Sequence, residues 1–293
     1  MKPAPFEYHA PTTRDEALAL LAEGGFDAKV LAGGQSLVPA MNFRLARPAL
    51  LIDVNRIDDL SGIRPADDGG VSIGALTRQR AVERSPLIAE RLPLLAEAMP
   101  HIAHPQIRSR GTIGGSLAHA DPAAELPALS LALDARLRLQ SQQAERWLPA
   151  AEFFLGILTT ALEPEELLVE IAIPALPPRT GTAFDEVARR HGDYAMAGAA
   201  AVVTLAEDGT IAESRLVLLA VGDIPVPIRS VTQALRGAQP TEDAIRAAVE
   251  SIDAEIDPPT DLHATAAYRR YLVKNLARST LLRAVERACQ PIC

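Results

Sequence analysis

The sequence predicts an α+β protein in which two small subdomains hold one ligand and an antiparallel sheet with helices follows. Three observations predict it. Two glycine pairs, Gly33-Gly34 and Gly114-Gly115, each stand near a serine, and each follows a segment that reads as a strand or tight turn. A proline-rich link ending in Pro177-Pro178 interrupts the chain after an apolar strand. Beyond the link, three segments read as strands and three as helices.

The elements follow in order. Residues 12–23 read as an amphipathic helix capped by Thr13, with Glu16 three residues on and Gly24-Gly25 as its end. Residues 28–32 read as a buried strand, Gly33-Gly34 as a turn, and residues 37–41 as a short helix with Ser36 as N-cap. Pro39 falls in the first turn, where no amide hydrogen is needed. A strand at 49–54 completes an N-terminal α/β subdomain, residues 1–56. Residues 60–63 and 70–73 read as strands flanking an Asp-Gly turn, and 76–83 and 89–98 as helices. The second glycine loop comes next. A helix at 127–133 and strands at 136–140 and 169–173 complete a second subdomain, residues 57–177. In the C-terminal α+β domain, residues 178–293, strands are expected at 184–188, 199–205 and 215–221. Helices are expected at 228–235, 242–252 and 264–288. The last reads as an amphipathic cover for the sheet, with a docking surface as the alternative.

The glycine loops carry the chemistry. Glycine lacks Cβ and reaches positive φ, so successive N–H groups can line a concave nest for an anion. A helix starting at the loop adds free N–H groups and the positive end of its dipole. Two such loops suit a long anionic ligand, and a dinucleotide pyrophosphate is the obvious one. Glycines that only make tight turns are the alternative. The G-x-G-x-x-G and Gly-Lys-Ser/Thr fingerprints are both absent.

The chain has 293 residues, which suits two or three subdomains, and a net charge of −8, which argues against a nucleic-acid partner. No apolar run approaches a membrane span, and the N-terminus lacks an apolar signal core, so a cytoplasmic location is expected. The two cysteines, Cys289 and Cys293, read as free thiols and are too few for an iron–sulfur or zinc site. His101 and His104 lie three apart near Arg108 and Arg110, but no third metal ligand is evident, and no metal site is assigned. His119 and Asp121 read as shaping a pocket and not as a catalytic pair. No acid–base residue is assigned.

Nearly the whole chain resembles the FAD-binding medium subunit of the molybdenum hydroxylases, the relatives of carbon monoxide dehydrogenase, quinoline oxidoreductase and xanthine dehydrogenase. The resemblance rests on both glycine loops and on Phe6-Glu7-Tyr8, Ile52-Asp53-Val54, His104-Pro105-Gln106-Ile107-Arg108 and Phe153-Phe154-Leu155-Gly156. It continues through Leu168-Val169-Glu170-Ile171, Arg190-His191-Gly192-Asp193-Tyr194-Ala195 and Ala267-Tyr268-Arg269-Arg270. It implies a two-subdomain FAD module of the vanillyl-alcohol-oxidase type, followed by the C-terminal sheet domain.

The resemblance also implies site residues. Lys29, Val30, Leu31, Ala32, Gly33, Gly34, Gln35, Ser36 and Leu37 correspond to the loop around the FAD pyrophosphate. Thr112, Gly114, Gly115, Ser116 and Ala118 belong to the loop that closes on it. Glu125 stands where the family has an acid that hydrogen-bonds the flavin or a nearby polar group, and Ile102 and Leu168 match apolar positions beside it. Asp185 replaces a lysine of the xanthine dehydrogenase relatives, and Tyr194 lies in a segment that approaches the isoalloxazine ring. The arginines near His104 read as partners of flavin phosphate, of another subunit, or of surface carboxylates.

The family couples molybdenum to FAD through two [2Fe–2S] clusters. This chain lacks the cysteines for the clusters and the length for a molybdopterin domain. The resemblance therefore implies an iron–sulfur small subunit and a molybdopterin large subunit as partners, in a dimer of heterotrimers. The expected function is electron transfer through FAD to an external acceptor. The alternatives are a free-standing flavin oxidase of related fold and an assembly protein without cofactor. The substrate and the acceptor are not written in this chain.

Overall fold

The computed structural model describes residues 1–290, so Cys293 lies outside the described residues, while Cys289 is a free, exposed thiol as expected. The first unit contains β1 (Glu7–His9), α1 (Arg14–Gly24), β2 (Ala28–Leu31), α2 (Leu37–Asn42) and β3 (Leu50–Asp53). Its strands pair in parallel, in the order β1-β3-β2. Thr13 and Glu16 form the expected capping box, which fixes where α1 begins. Ala17, Leu18 and Leu21 bury one face of α1 against Ala28, Ile52 and Val54. The Gly33-Gly34 turn is present, and Gly34 takes φ +72°.

The second unit runs through β4 (Ile63–Pro65), β5 (Val71–Gly74), α3 (Gln79–Glu83), α4 (Pro86–Arg91), α5 (Pro93–Ala98), α6 (Pro105–Arg108), α7 (Ile113–His119) and α8 (Glu125–Ala132). It continues with β6 (Arg136–Gln140), β7 (Glu145–Pro149), α9 (Ala150–Phe153), β8 (Phe154–Gly156), β9 (Thr159–Thr160) and β10 (Leu167–Ile173). Five strands form an antiparallel sheet in the order β4-β5-β10-β6-β7, and β8 and β9 form a separate hairpin.

Several expectations need correction here. The strand expected at 60–63 is replaced by a 3-10 turn at Asp58–Leu60, and β4 begins only at Ile63. The helix expected at 76–83 starts at Gln79, because residues 74–77 form a turn whose Ala75 and Thr77 carbonyls accept hydrogen bonds from the start of α7. The helix expected at 89–98 is two helices, broken at Leu92 (φ −130°, ψ 61°) because a residue before proline avoids helical geometry. Strand β7 was not anticipated. It is an edge strand whose first three residues are exposed, so it has no clear apolar alternation.

The third unit contains β11 (Thr180–Ala188), β12 (Ala195–Leu205), β13 (Ile211–Leu219), β14 (Val226–Pro227), α10 (Arg229–Leu235), α11 (Glu242–Val249) and α12 (Ala266–Cys289). The sheet is antiparallel, in strand order. Both its faces are covered. Ala197, Ala199, Ala201 and Val203 pack with α12, while Phe184, Ala200, Val202 and Val217 join the core of the second unit. At Gly181, a Cβ would lie 2.0 Å from Ala284 O, so only glycine lets α12 lie this close to β11. The helix expected at 242–252 ends at Val249 and continues as a 3-10 segment, Glu250–Ala254.

Candidate functional site

The carboxyl ends of β2 and β3 aim at one place, and a polar brace fixes it. Asn55, just after β3, donates from Nδ2 to Ala32 O at 2.8 Å and to Asp53 Oδ1 at 2.6 Å. Its Oδ1 accepts from Arg78 Nη2 at 2.7 Å, and Arg78 Nη1 donates to Arg110 O. Burial, followed by the nearby Arg110 charge, lowers the Arg78 pKa. Tyr8 donates to Asp53 Oδ2 at 2.6 Å. Burial pushes the Asp53 pKa up, but the Tyr8 hydroxyl, the Asn55 donors and Arg56 outweigh it and leave it below the usual range. This network ties the first glycine turn to the segment that enters α7.

The two glycine motifs do meet. A Cβ on Gly33 would lie 2.6 Å from Arg110 O and 2.7 Å from Gly111 Cα, and a Cβ on Gly115 would lie 3.6 Å from Ala32 Cβ. Their hydrogen-bonding roles differ. Among the described residues, no protein acceptor takes the amides of residues 33–37; donation resumes at Val38, to Gly34 O at 3.1 Å. The first loop is therefore an open run of donors.

The second motif is not an open nest, contrary to expectation. It is the first turn of α7, and its donors are engaged within the protein. Ile113 N donates to Thr77 O, Gly114 N to Ala75 O, and Gly115 N to the Thr112 Oγ1 cap at 3.0 Å. Its glycines serve close approach. A Cβ on Gly114 would lie 2.5 Å from Ala75 Cβ, and one on Gly115 would lie 2.6 Å from Thr112 Oγ1. Ser36 also departs from expectation. It makes no side-chain cap on α2.

Tyr194 projects from the β11–β12 hairpin and is 62% exposed. The hairpin rests on the second unit at Gly192 (φ +86°), where a Cβ would lie 2.6 Å from the His104 ring. Glu125, the first residue of α8, is buried at 6% exposure. Burial and the charge of Glu186 push its pKa up to about 8.

The remaining expected residues are more dispersed. Ile102 and Leu168 are core side chains of the second unit. Asp185 lies in β11 beside Arg283 of α12 (Oδ2 to Nη2 3.5 Å), whereas its neighbours Phe184 and Glu186 contact His101. Lys29 and Ala118 are exposed. His101 and His104 do not pair as ligands. His101 closes a 3-10 turn against Glu186, and His104 precedes α6. Among the described residues, no group of three or more His, Cys, Asp or Glu could hold a metal. Asp121 Oδ1 accepts from Ala123 N at 2.9 Å, so it shapes the turn into α8. A groove of about 470 Å³ along α12, bordered by Val187, Tyr271 and Leu282, involves none of the site residues.

Sequence reasoning missed Asn55, Arg78 and Glu186. A polar residue directly after a parallel strand was a usable signal for Asn55, since ligands bind outside the carboxyl ends of such strands. Arg78 and Glu186 become visible only through their tertiary partners.

Residues 4–176 match the family described as the FAD binding domain in molybdopterin dehydrogenase. The chain belongs to the FAD-binding medium subunits of the molybdenum hydroxylases. Residues 182–284 match the CO dehydrogenase flavoprotein C-terminal domain. The chain is 46% identical to subunit alpha of the 6-hydroxypseudooxynicotine dehydrogenase complex of Paenarthrobacter nicotinovorans, over 98% of this chain and 97% of that one. Its structure is similar to a chain of carbon monoxide dehydrogenase from Hydrogenophaga pseudoflava, with TM-score 0.95, 43% identity, and 98% and 99% of the two chains covered. Quinoline 2-oxidoreductase from Pseudomonas putida 86 matches with TM-score 0.93 and 35% identity, over 99% and 100%. These relatives confirm the α+β medium-subunit fold and the oxidoreductase class. No helix among the described residues is long and apolar enough to cross a membrane.

The residues present fit FAD. The unspent amides of 33–37 suit a diphosphate, and Gly33 and Gly115 leave space where side chains would crowd the meeting of the two motifs.

Proposed function

We propose that this chain is the electron-transfer subunit of a multi-subunit molybdenum hydroxylase, in which FAD accepts electrons from [2Fe–2S] clusters of a partner subunit and yields them to an external acceptor. The observation that carries this reading is the open run of amides at 33–37 beside the small-residue start of α7. Bound FAD supplies the chemistry that joins a one-electron donor to a one- or two-electron acceptor.

The chain's own residues bind and orient. The amides of 33–37 would hold the pyrophosphate, and the Asn55–Arg78 brace fixes the loop that carries them. Thr112 fixes the start of α7, so that Gly115 and Ser116 pack close to the ligand. With FAD bound, Glu125 would offer a carboxyl to the flavin's polar edge, Ile102 and Leu168 would back the apolar wall, and Tyr194 would cover the ring. The work divides among residues 1–56, 57–177 and 178–293 as three units. A small iron–sulfur subunit and a large molybdopterin subunit complete the assembly, a cytoplasmic dimer of heterotrimers. The large subunit selects the substrate.

The test is anaerobic reduction of the assembled complex by a low-potential reductant, followed by absorbance. The oxidised-flavin band should bleach after the iron–sulfur bands. Bleached clusters beside an unchanged, bound flavin would overturn the reading.

A further inference from the structure

The first loop offers a ligand only uncharged donors. Its residues, Gly33-Gly34-Gln35-Ser36-Leu37, include no cation, and its open groups are backbone amides. A diphosphate is a multiply charged anion, and neutral amides orient it without cancelling its charge.

A cation stands one carbonyl away. Arg78 is half-buried between the first and second units. Its backbone pairs with Thr112, and Gln79 N donates to Gly111 O at 2.9 Å, so the residue is fixed to the entry of α7. Its guanidinium reaches the other way. Nη2 donates to Asn55 Oδ1 at 2.7 Å, and Nη1 donates to Arg110 O. That same carbonyl oxygen is the atom a Cβ on Gly33 would meet at 2.6 Å.

Both acceptors of Arg78 are neutral. Among the described residues it pairs with no carboxylate, whereas Arg80 and Arg108 both pair with Glu83. Asp53, the acid of the brace, has Oδ2 engaged by the Tyr8 hydroxyl and Oδ1 by the Asn55 donors. Arg110 brings a second, exposed guanidinium to the same place, again with no carboxylate partner among the described residues. A half-buried cation bound only to neutral acceptors keeps a desolvation cost that an anion in its field offsets.

We propose that Arg78 is the counter-charge of the diphosphate: it acts through space on the anion held at residues 33–37, while its two hydrogen bonds keep that charge aimed at the loop. This rests on the reading of the first loop as the FAD diphosphate site, and adds to it the residue that makes the site electrostatically selective. Arg78 is a positioning residue through Asn55 and Arg110, and its charge has a separate effect that salt reveals.

The test is equilibrium binding of FAD and of ADP to the FAD-stripped complex over a range of ionic strength. Wild-type affinity for both should fall as salt rises. Arg78→Gln removes the charge and keeps a donor, so low-salt affinity should weaken about tenfold or more and its salt dependence should flatten. Arg78→Lys keeps the charge and loses the fork, so the salt dependence should remain. Asn55→Ala breaks the brace and spares the charge, so affinity should fall with the salt dependence unchanged. Circular dichroism checks that each variant is folded.

Equal salt slopes in wild type and Arg78→Gln would overturn the proposal and leave Arg78 as a brace alone. A wild-type affinity for ADP that ignores salt would overturn it without any variant, so the test survives a variant that does not fold. If the complex binds ADP with these slopes and takes up no FAD, the electron-transfer reading fails and the charge assignment stands. Binding of neither ligand would refute both.

Discussion

At the scale of single residues, Gly33 has little tolerance for a side chain. A methyl group there would collide with Arg110 O at 2.6 Å and Gly111 Cα at 2.7 Å, both backbone atoms with little room to give. Gly33→Ala should therefore weaken FAD binding at least tenfold, about 1.4 kcal/mol, as read by flavin fluorescence titration. Circular dichroism of the same variant should stay close to wild type, because the collision is local. Glu125 makes a separate prediction about pH. Its carboxyl ionises near 4.5 in the unfolded chain and near 8 in the folded one, so the folded state binds more protons between those values. This contribution to stability is greatest below pH 4.5 and is lost as pH rises to about 8. Glu125→Gln removes the titration, so its Tm should fall less than that of the wild type across this window. A parallel fall in both would refute the assignment.

At the scale of elements, α7 depends on its cap. Thr112 Oγ1 accepts from Gly115 N at 3.0 Å, and Thr112→Ala should cost about 0.5–2 kcal/mol in a denaturant titration. The Arg108–Glu83 pair holds the approach to α7. The Arg108 side chain is 4% exposed, with Nε and Nη2 on the Glu83 carboxylate at 2.9 and 3.0 Å and Nη1 on Ile102 O at 2.7 Å. Removing the Glu83 carboxylate leaves the buried Arg108 guanidinium without its counter-charge, so Glu83→Ala should destabilise by about 3–5 kcal/mol. Most elements were legible in the sequence because their signals are local. The capping box placed α1, apolar alternation placed β6, and the glycine turn placed the end of β2. The misreadings arose where tertiary hydrogen bonds decide. Ala75 and Thr77 give their carbonyls to α7 and cannot start a helix, and the second glycine motif spends its amides on them.

At the scale of the whole molecule, the second unit is the hub: the C-terminal sheet buries one face against its core, and the first unit meets it where Gly33 lies against Arg110 and Gly111. The sequence named most of the candidate site through its loops, together with Glu125 and Tyr194. It could not show that the two loops differ in kind, one presenting free donors and the other packing surface, since that depends on where each amide points. Asn55, Arg78 and Glu186 were hidden for the same reason: their partners lie far away in sequence, as Arg78 and Asn55 do. The central claim is that FAD sits where Gly33 meets the start of α7. Its most direct test is equilibrium binding of FAD to the purified complex after the cofactor has been stripped, comparing wild type with Gly33→Ala. The account predicts one FAD per chain for the wild type and a binding constant at least tenfold weaker for the variant. Equal affinity in the two proteins, or no FAD binding by the folded wild type, would contradict it.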